Sequence, residues 1–195
     1  MKLPPAVVLL AILATFAMGM RAGPAAADEW SDADSMMVRL PPSAFPELAT
    51  SLVWWLTKCG CQIPQPYEQP KGERANVIHG EFDHRGQTDW AVLCSRNRVS
   101  SILVFRDGSP ASVDTLFTAP DLNFLQEVEP GKIGYSRLIS RVRPSDIRKR
   151  YAVWANGSKP PVPLAHDGIE DSFIGKASGV CYRHKGKWLE LAGAD

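Results

Sequence analysis

The pattern of apolar and polar positions predicts an amphipathic helix near the start of the chain. Ser43 is suited to cap this helix, and Pro46 falls in its first turn, where the missing N–H costs little. Gly60 and Pro64 are expected to end it. The apolar residues recur with the helical period and therefore fall on one face: Phe45, Leu48, Leu52, Trp55 and Leu56.

The rest of the chain shows the alternation and the turn residues that are typical of an antiparallel sheet. Turn residues at 96–98 and 185–186 each separate two alternating runs, which indicates two hairpins. Residues 144–151 are expected to form a short helix, and the arginines of the run at 135–142 are expected to face outward. The predicted strands are 75–82, 89–95, 99–105, 112–118, 135–142, 177–184 and 187–191.

These elements predict a single α+β domain over residues 43–195, in which an antiparallel sheet carries the N-terminal amphipathic helix on one face. A chain of 195 residues is long enough to bury one such core. Residues 28–42 are polar and show no periodicity, so we expect a flexible leader there. The regular alternation of strand and helix that marks a nucleotide-binding fold is missing, as is any internal repeat.

The first residues have the pattern of an export signal. Lys2 precedes an apolar run over residues 6–20, and small residues follow it up to Ala27. A basic start, a short apolar middle and an A-x-A site are typical of a secretory signal peptide. The run is shorter than the roughly 20 residues that cross a bilayer, which argues against an uncleaved anchor. We therefore expect removal of residues 1–27 and a mature bacterial protein without a membrane span, either periplasmic or secreted.

Composition and charge narrow the classes of partner. The chain has 22 Lys and Arg against 21 Asp and Glu, a formal net charge of +1. A balance this close to zero excludes a dedicated polycation, so we expect no nucleic-acid partner. The sequence also lacks the G-x-S-x-G, H-E-x-x-H and G-x-x-x-x-G-K-[ST] motifs, and it predicts no cofactor.

The four cysteines predict disulfide chemistry, because an even number of cysteines in an exported chain favours disulfides over thiols or metal ligands. A Cys59–Cys61 bridge would close a very small, strained ring. We expect Cys61 to pair with Cys94, since Cys94 closes an apolar strand and Cys61 lies where the chain leaves the helix. Cys59 and Cys181 then pair with each other or remain thiols. A zinc site would need a second close pair of cysteines, which this spacing does not provide.

A distinctive acidic loop lies at residues 80–93. Its sequence, Gly80-Glu81-Phe82-Asp83-His84-Arg85-Gly86-Gln87-Thr88-Asp89-Trp90-Ala91-Val92-Leu93, resembles the calcium loops of FG-GAP and VCBS-type repeats. The resemblance implies a turn at Gly86 and three calcium ligands: Glu81, Asp83 and Asp89. Arg85 occupies a position that the family fills with Asp or Asn. We therefore favour a metal-free turn in which Arg85 pairs with the carboxylates.

One cluster combines a histidine with acidic residues: His166, Asp167, Glu170 and Asp171. Carboxylates close to an imidazole can carry out acid–base chemistry, so these residues are the catalytic candidates of a small secreted hydrolase. The simpler interpretation, which we favour, is a loop histidine followed by a solvated acidic turn. Six tryptophans are also present, and Trp54, on a different helix face from Trp55, is the one that we expect at the surface.

Most of the mature chain is similar to a group of small exported bacterial proteins of uncharacterised function. The residues that carry this similarity lie at 60–65, 89–95 and 166–195. It implies export and brings no activity with it. Our leading hypothesis is therefore an exported, non-catalytic protein that binds an unknown ligand in the cell envelope or outside the cell. The alternatives are the hydrolase that uses His166 and a degenerate calcium-binding module.

Overall fold

The computed structural model describes residues 25–70, 72–154 and 157–193, so most of the predicted signal peptide lies outside the described residues. Within these ranges the chain is α+β, as predicted, and its strands pair antiparallel. The helices are α1 (Ala25–Met36), α2 (Thr50–Lys58) and α3 (Pro144–Trp154). The strands are β1 (Arg39–Leu40), β2 (Ile63–Pro64), β3 (Val77–Gly80), β4 (Asp89–Arg96), β5 (Val99–Phe105), β6 (Val113–Pro120), β7 (Leu125–Glu129), β8 (Lys132–Tyr135), β9 (Arg137–Val142), β10 (Gly168–Phe173), β11 (Ala177–His184) and β12 (Lys187–Ala192).

The described chain contains two main sheets where the sequence predicts one. Sheet 1 has the order β3-β4-β5-β6, and sheet 2 has the order β9-β10-β11-β12. The pairs β1-β2 and β7-β8 form two small additional sheets. The second main sheet exists because β10, which the sequence suggests is a solvated acidic turn, pairs with β9 on one side and β11 on the other.

Three clusters of buried side chains fill the spaces between the layers of the fold. The first joins α2 to one face of sheet 1 and includes Leu52, Leu56 and Val92. The second joins the opposite face of sheet 1 to sheet 2, with Leu93 and Ile139 among its members. The third lies between α3 and the outer face of sheet 2. Sheet 1 is therefore covered on both faces, which explains why β4 and β5 are nearly continuous apolar runs.

Helix α2 begins later than the sequence predicts. Instead of continuing from a cap at Ser43, the chain forms a single 3-10 turn over Pro42–Ala44, and α2 starts at Thr50. Phe45 has a φ of −110° and a ψ of 89°, so it is not helical. The cause is Pro46, because a proline disfavours the helical region for the residue before it. Phe45 and Leu48 still point into the core beneath α2.

The segment at 28–42, predicted as a flexible leader, contains the greater part of α1 and the short strand β1. Ion pairs connect it to the rest of the domain. Arg39 bonds Asp34 with an Nη2–Oδ1 distance of 2.6 Å and Asp121 with an Nη2–Oδ2 distance of 2.8 Å. Arg98, at the tip of the β4–β5 hairpin, also contacts Asp34 at 2.9 Å. Ala33 and Met37 add apolar contacts to the cluster between the two main sheets. Ion pairs leave no hydrophobic periodicity in a sequence, so the pattern did not reveal how this segment is attached.

The predicted disulfide between Cys61 and Cys94 is confirmed. The two Cα atoms are 5.3 Å apart, and the next residues, Gln62 and Ser95, exchange two backbone hydrogen bonds. The bridge therefore joins the chain that leaves α2 to the end of β4. Cys59 and Cys181 are thiols, which was one of the two outcomes left open for them. Burial raises the pKa of the Cys181 thiol and so keeps it protonated.

Asp121 provides a test of the polar contacts that hold the N-terminal segment. Its carboxylate has no exposed surface and accepts hydrogen bonds from Ser95 and Arg39. We expect Asp121→Asn to lower the free energy of unfolding by about 3 kcal/mol, because it removes one partner of a buried ion pair. Urea unfolding measures the change. The matched control is Asp146→Asn, whose ion pairs lie at the surface and whose loss should change little. Equal effects of the two substitutions on the free energy of unfolding would contradict a stabilising role for the buried Asp121–Arg39 pair.

Candidate functional site

His166 lies in the loop before β10 and is almost buried. Its ring stacks on Tyr182, with the ring centroids 4.3 Å apart and the planes at 4°. Its Nδ1 atom is 3.0 Å from the backbone oxygen of Asp167. The contacts of this histidine are thus with an aromatic ring and a backbone carbonyl.

The three acids of the cluster bond to partners in different layers. Asp167 accepts from the backbone N–H of Glu81 at 3.2 Å. Glu170 and Asp171 are neighbours in β10, and successive strand residues point to opposite faces of a sheet. Glu170 bonds Arg150 of α3 on the outer side, whereas Asp171 bonds Arg137 between the sheets. The structure therefore does not bring the four candidate catalytic residues together as one acid–base group.

The environment of Glu170 favours its ionised form. Burial of this carboxyl acts to raise its pKa, but hydrogen bonds from Arg150, Ser178 and Ser140 and the charge of Arg150 outweigh it. The pKa of Glu170 is therefore lowered from its ordinary value. A carboxyl group held as an anion by an arginine is a poor proton donor, and its role here is to fasten α3 to sheet 2.

In the acidic loop that resembles a calcium site, the carboxylate of Asp89 accepts hydrogen bonds from N–H groups of the protein. The carboxylate of Asp89 is fully buried at the start of β4. Its Oδ2 accepts from the backbone N–H groups of Phe82 and Asp83, each at 2.8 Å. Its Oδ1 accepts from the backbone of Asp107 and the side chain of Gln87. All the acceptor positions that a metal ion would need at this residue are engaged in folding the loop.

The expected pairing of Arg85 with these carboxylates is wrong. Arg85 is exposed, and the arginine that pairs with Asp83 is Arg183 of β11, with an Nη1–Oδ1 distance of 2.8 Å. The pair joins the two sheets at the loop end. Among the described residues, no group of three or more His, Cys, Asp or Glu side chains is arranged to hold a metal ion.

The burial of Arg137, at the start of β9, differs from the sequence prediction. The sequence places the arginines of this strand at its outer face, but Arg137 has no exposed surface. All five of its N–H groups are bonded. Nε and Nη2 donate to the two Asp171 oxygens at 2.9 and 2.7 Å. The remaining three donate to the hydroxyl and carbonyl of Ser100 and to the carbonyl of Phe117. Arg137 thus joins sheet 2 to β5 and β6 of sheet 1.

Phe117 reaches this arginine through an irregularity in β6. The β5–β6 register shifts between Ser100 and Ile102, so an extra residue of β6 is accommodated there. Phe117 has a φ of +45°, in the left-handed region that non-glycine residues rarely adopt. This conformation accompanies a carbonyl that bonds Arg137 and a ring that is 38% exposed.

A cleft of about 260 Å³ opens beside this bulge. It lies between β6 of sheet 1 and the inner face of sheet 2. Arg137 and Asp171 contribute to its lining as an ion pair, and the ring of Phe124 stacks on the Arg137 guanidinium, 4.4 Å from Cζ to the ring centroid. The other lining residues are Phe117, Thr118, Ala119, Gly179 and Glu190. This arrangement presents aromatic surface and one further carboxylate to a ligand, and it is the candidate binding site.

This site was not predicted from the sequence, although one signal for it was present. Arg137 lies two residues before Ile139, so the two share the inward face of β9. Asp171 lies two residues before Phe173 in β10 and shares that face. An arginine and an aspartate at inward positions of neighbouring strands indicate a buried pair. The signal depends on knowing that β10 is a strand, which its acidic residues concealed.

Comparison of the chain with protein-family models, with curated protein sequences and with solved structures finds no match. Trp54 is 61% exposed, as predicted, with the Lys58 ammonium 5.4 Å from its ring centroid. None of the helices in the described part of the chain combines the length and the apolar character needed to cross a membrane.

From the contacts of the acidic loop we expect the protein not to bind calcium. We expect no saturable heat in calorimetric titration of the protein with calcium up to about 1 mM, since Asp89 is saturated with N–H donors and Asp83 is paired with Arg183. A saturable heat that disappears in Asp83→Asn would contradict this prediction.

Glu170 predicts a particular dependence of stability on pH. Because its folded pKa is lowered, the Arg150 pair stabilises the protein fully above the ordinary glutamate pKa of 4.5 and is lost as pH falls through the folded value. We expect Glu170→Gln to cost about 1 to 2 kcal/mol at pH 7, a difference that shrinks in acid. Urea unfolding between pH 7 and pH 3 measures it. The control is Glu129→Gln, which removes an exposed carboxyl paired with Lys132 and should leave the profile unchanged. Parallel profiles of wild type and Glu170→Gln would refute the assignment.

Proposed function

We propose that this chain is an exported, non-catalytic binding protein of a bacterial cell envelope or exterior, and that the cleft beside Arg137 is its binding site. The export part of the proposal is supported by the signal-like sequence of residues 1–27 and by the Cys61–Cys94 disulfide. Disulfides persist in oxidising compartments such as the periplasm. The binding part is supported by the chemistry of the cleft.

The groups in the cleft are suited to recognition rather than to proton or group transfer. Arg137 uses each N–H, and both Asp171 oxygens accept from it. The hydroxyl of Thr118 is hydrogen bonded to that of Ser101 at 2.8 Å. Within the described part of the chain, Glu190 is the one carboxylate of the lining that lacks an ion-pair partner, and no histidine, cysteine or serine lines the cleft with it. A general base or nucleophile needs a free lone pair beside a matched partner. The cleft instead offers fixed aromatic surface and a preorganised ion pair.

The observation that carries the proposal is the conformation of Phe117. A non-glycine residue with positive φ costs of order 1 to 3 kcal/mol, and such residues cluster at ligand and active sites. Here the strain presents an apolar ring to solvent, although folding alone favours its burial. The exposed ring lies at the β6 edge of sheet 1, where it borders the cleft together with residues of sheet 2.

Site-specific photocrosslinking in the exporting cell tests the proposal. A benzoyl-phenylalanine residue replaces Phe117 in the full chain, and the control carries it at Val153, which is 71% exposed on α3. After irradiation, intact-mass measurement of the exported protein should show a discrete adduct at position 117 and none at 153. A third variant at Trp54 tests the other exposed aromatic surface. Absence of an adduct at 117, or equal labelling at all three positions, would reject the cleft as the binding site.

An N-terminus other than Asp28 on the exported protein would reject the predicted signal-peptide cleavage after Ala27.

A further inference from the structure

We propose that the cleft binds the positively charged end of an organic cation, an alkylammonium or guanidinium group. This inference rests on the proposed function, because it assigns a ligand class to the same cleft. It draws on three features of the lining: its charge, its aromatic surface and its size.

The lining has one carboxylate that the fold does not neutralise. Arg137 and Asp171 compensate one another through two hydrogen bonds. Glu190, on the exposed inner side of β12, has no ion-pair partner among the residues that the structure describes. An anionic ligand would face this charge and would find every Arg137 N–H already taken. A cationic ligand would supply the missing partner.

Aromatic surface in the cleft favours the same charge. The negative face of a phenyl ring attracts a cation within about 6 Å of its centroid. Phe124 already uses this attraction, since the Arg137 guanidinium lies 4.4 Å from its centroid. Phe117 borders the same cleft with its ring partly exposed, so a ligand cation between Phe117 and Glu190 would meet both an aromatic ring and a carboxylate.

The size of the cleft limits the ligand to a small group. Its volume of about 260 Å³ is below the range of about 300 to 1,000 Å³ that is usual for sites of drug-sized molecules. Gly179 helps to keep the space open, because a Cβ there would lie 3.2 Å from Oε1 of Glu190. A chain the length of a lysine or arginine side chain fits these limits. Such a group occurs in free amines and in the basic side chains of a partner polypeptide.

Titration of the isotope-labelled protein, followed by backbone amide NMR, tests the inference. The probes are n-butylamine, agmatine, N-acetyl-lysine-N-methylamide and, as the uncharged analogue, n-butanol. We expect saturable shifts at residues 117–119, 179 and 190 with the three cations and not with n-butanol. Tighter binding of the lysine amide than of the free amines would identify a polypeptide as the source, and the reverse order would identify a free amine.

Two substitutions separate the site from general attraction between charges. Glu190→Gln should weaken binding of the cations roughly fivefold or more, whereas Glu129→Gln, which removes the same charge elsewhere, should not. Gly179→Ala should also weaken binding by occupying the space beside Glu190. Shifts spread over many acidic residues, or equal affinities of wild type and Glu190→Gln, would overturn the inference. If position 117 crosslinks in the cell but the cations fail to bind, the proposed function stands and the ligand class is wrong.

Discussion

The contact between the two main sheets depends on the guanidinium group of Arg137, because a charge with no exposed surface must find an acceptor for every N–H. Asp171 supplies two acceptors from the same sheet, and Ser100 and Phe117 supply the others from the opposite sheet. Strand β6 offers the Phe117 carbonyl where it leaves its regular register. The buried charge and the bulge are therefore parts of one arrangement, and the cleft lies where they meet.

Buried and half-buried ion pairs also fasten two other long-range connections of the fold. Asp121 binds Arg39, 82 residues before it in the sequence, and Asp83 binds Arg183, 100 residues after it. Both contacts join segments that share no backbone ladder. Apolar burial brings such segments together without a required direction, whereas an ion pair accepts only a narrow geometry. Loss of either partner leaves an uncompensated charge, so these pairs oppose alternative packings of the layers.

The parts of the fold that local patterns encode could be predicted from the sequence. The hairpins β4–β5 and β11–β12 have alternating runs around short turns, and the Cys61–Cys94 bridge follows from where two elements end. The parts that depend on distant partners could not. Strand β10 looks like a solvated acidic turn until Arg137 and Arg150 are known to neutralise its two carboxylates. The candidate site was missed for the same reason, since a buried arginine is recognised by its acceptors and not by its neighbours in sequence.

The position of the cleft follows from the features that keep the edge strands of the two main sheets from pairing with another chain. Strands β6 and β12 are the outer strands of their sheets, and unpaired edges invite pairing with another chain. At one end the two sheets are joined by the Trp188 indole, whose Nε1 donates to Asp114 at 3.0 Å. Further along β6, the bulge interrupts the edge, and Pro120 ends the strand. A bulge and a proline both protect an edge from extension by a foreign strand.

The same bulge turns Phe117 outward beside Glu190, so the feature that protects the edge also supplies the aromatic wall of the cleft. A regular β6 would lose both, because its edge would be open to pairing and the Phe117 carbonyl would no longer be available to Arg137.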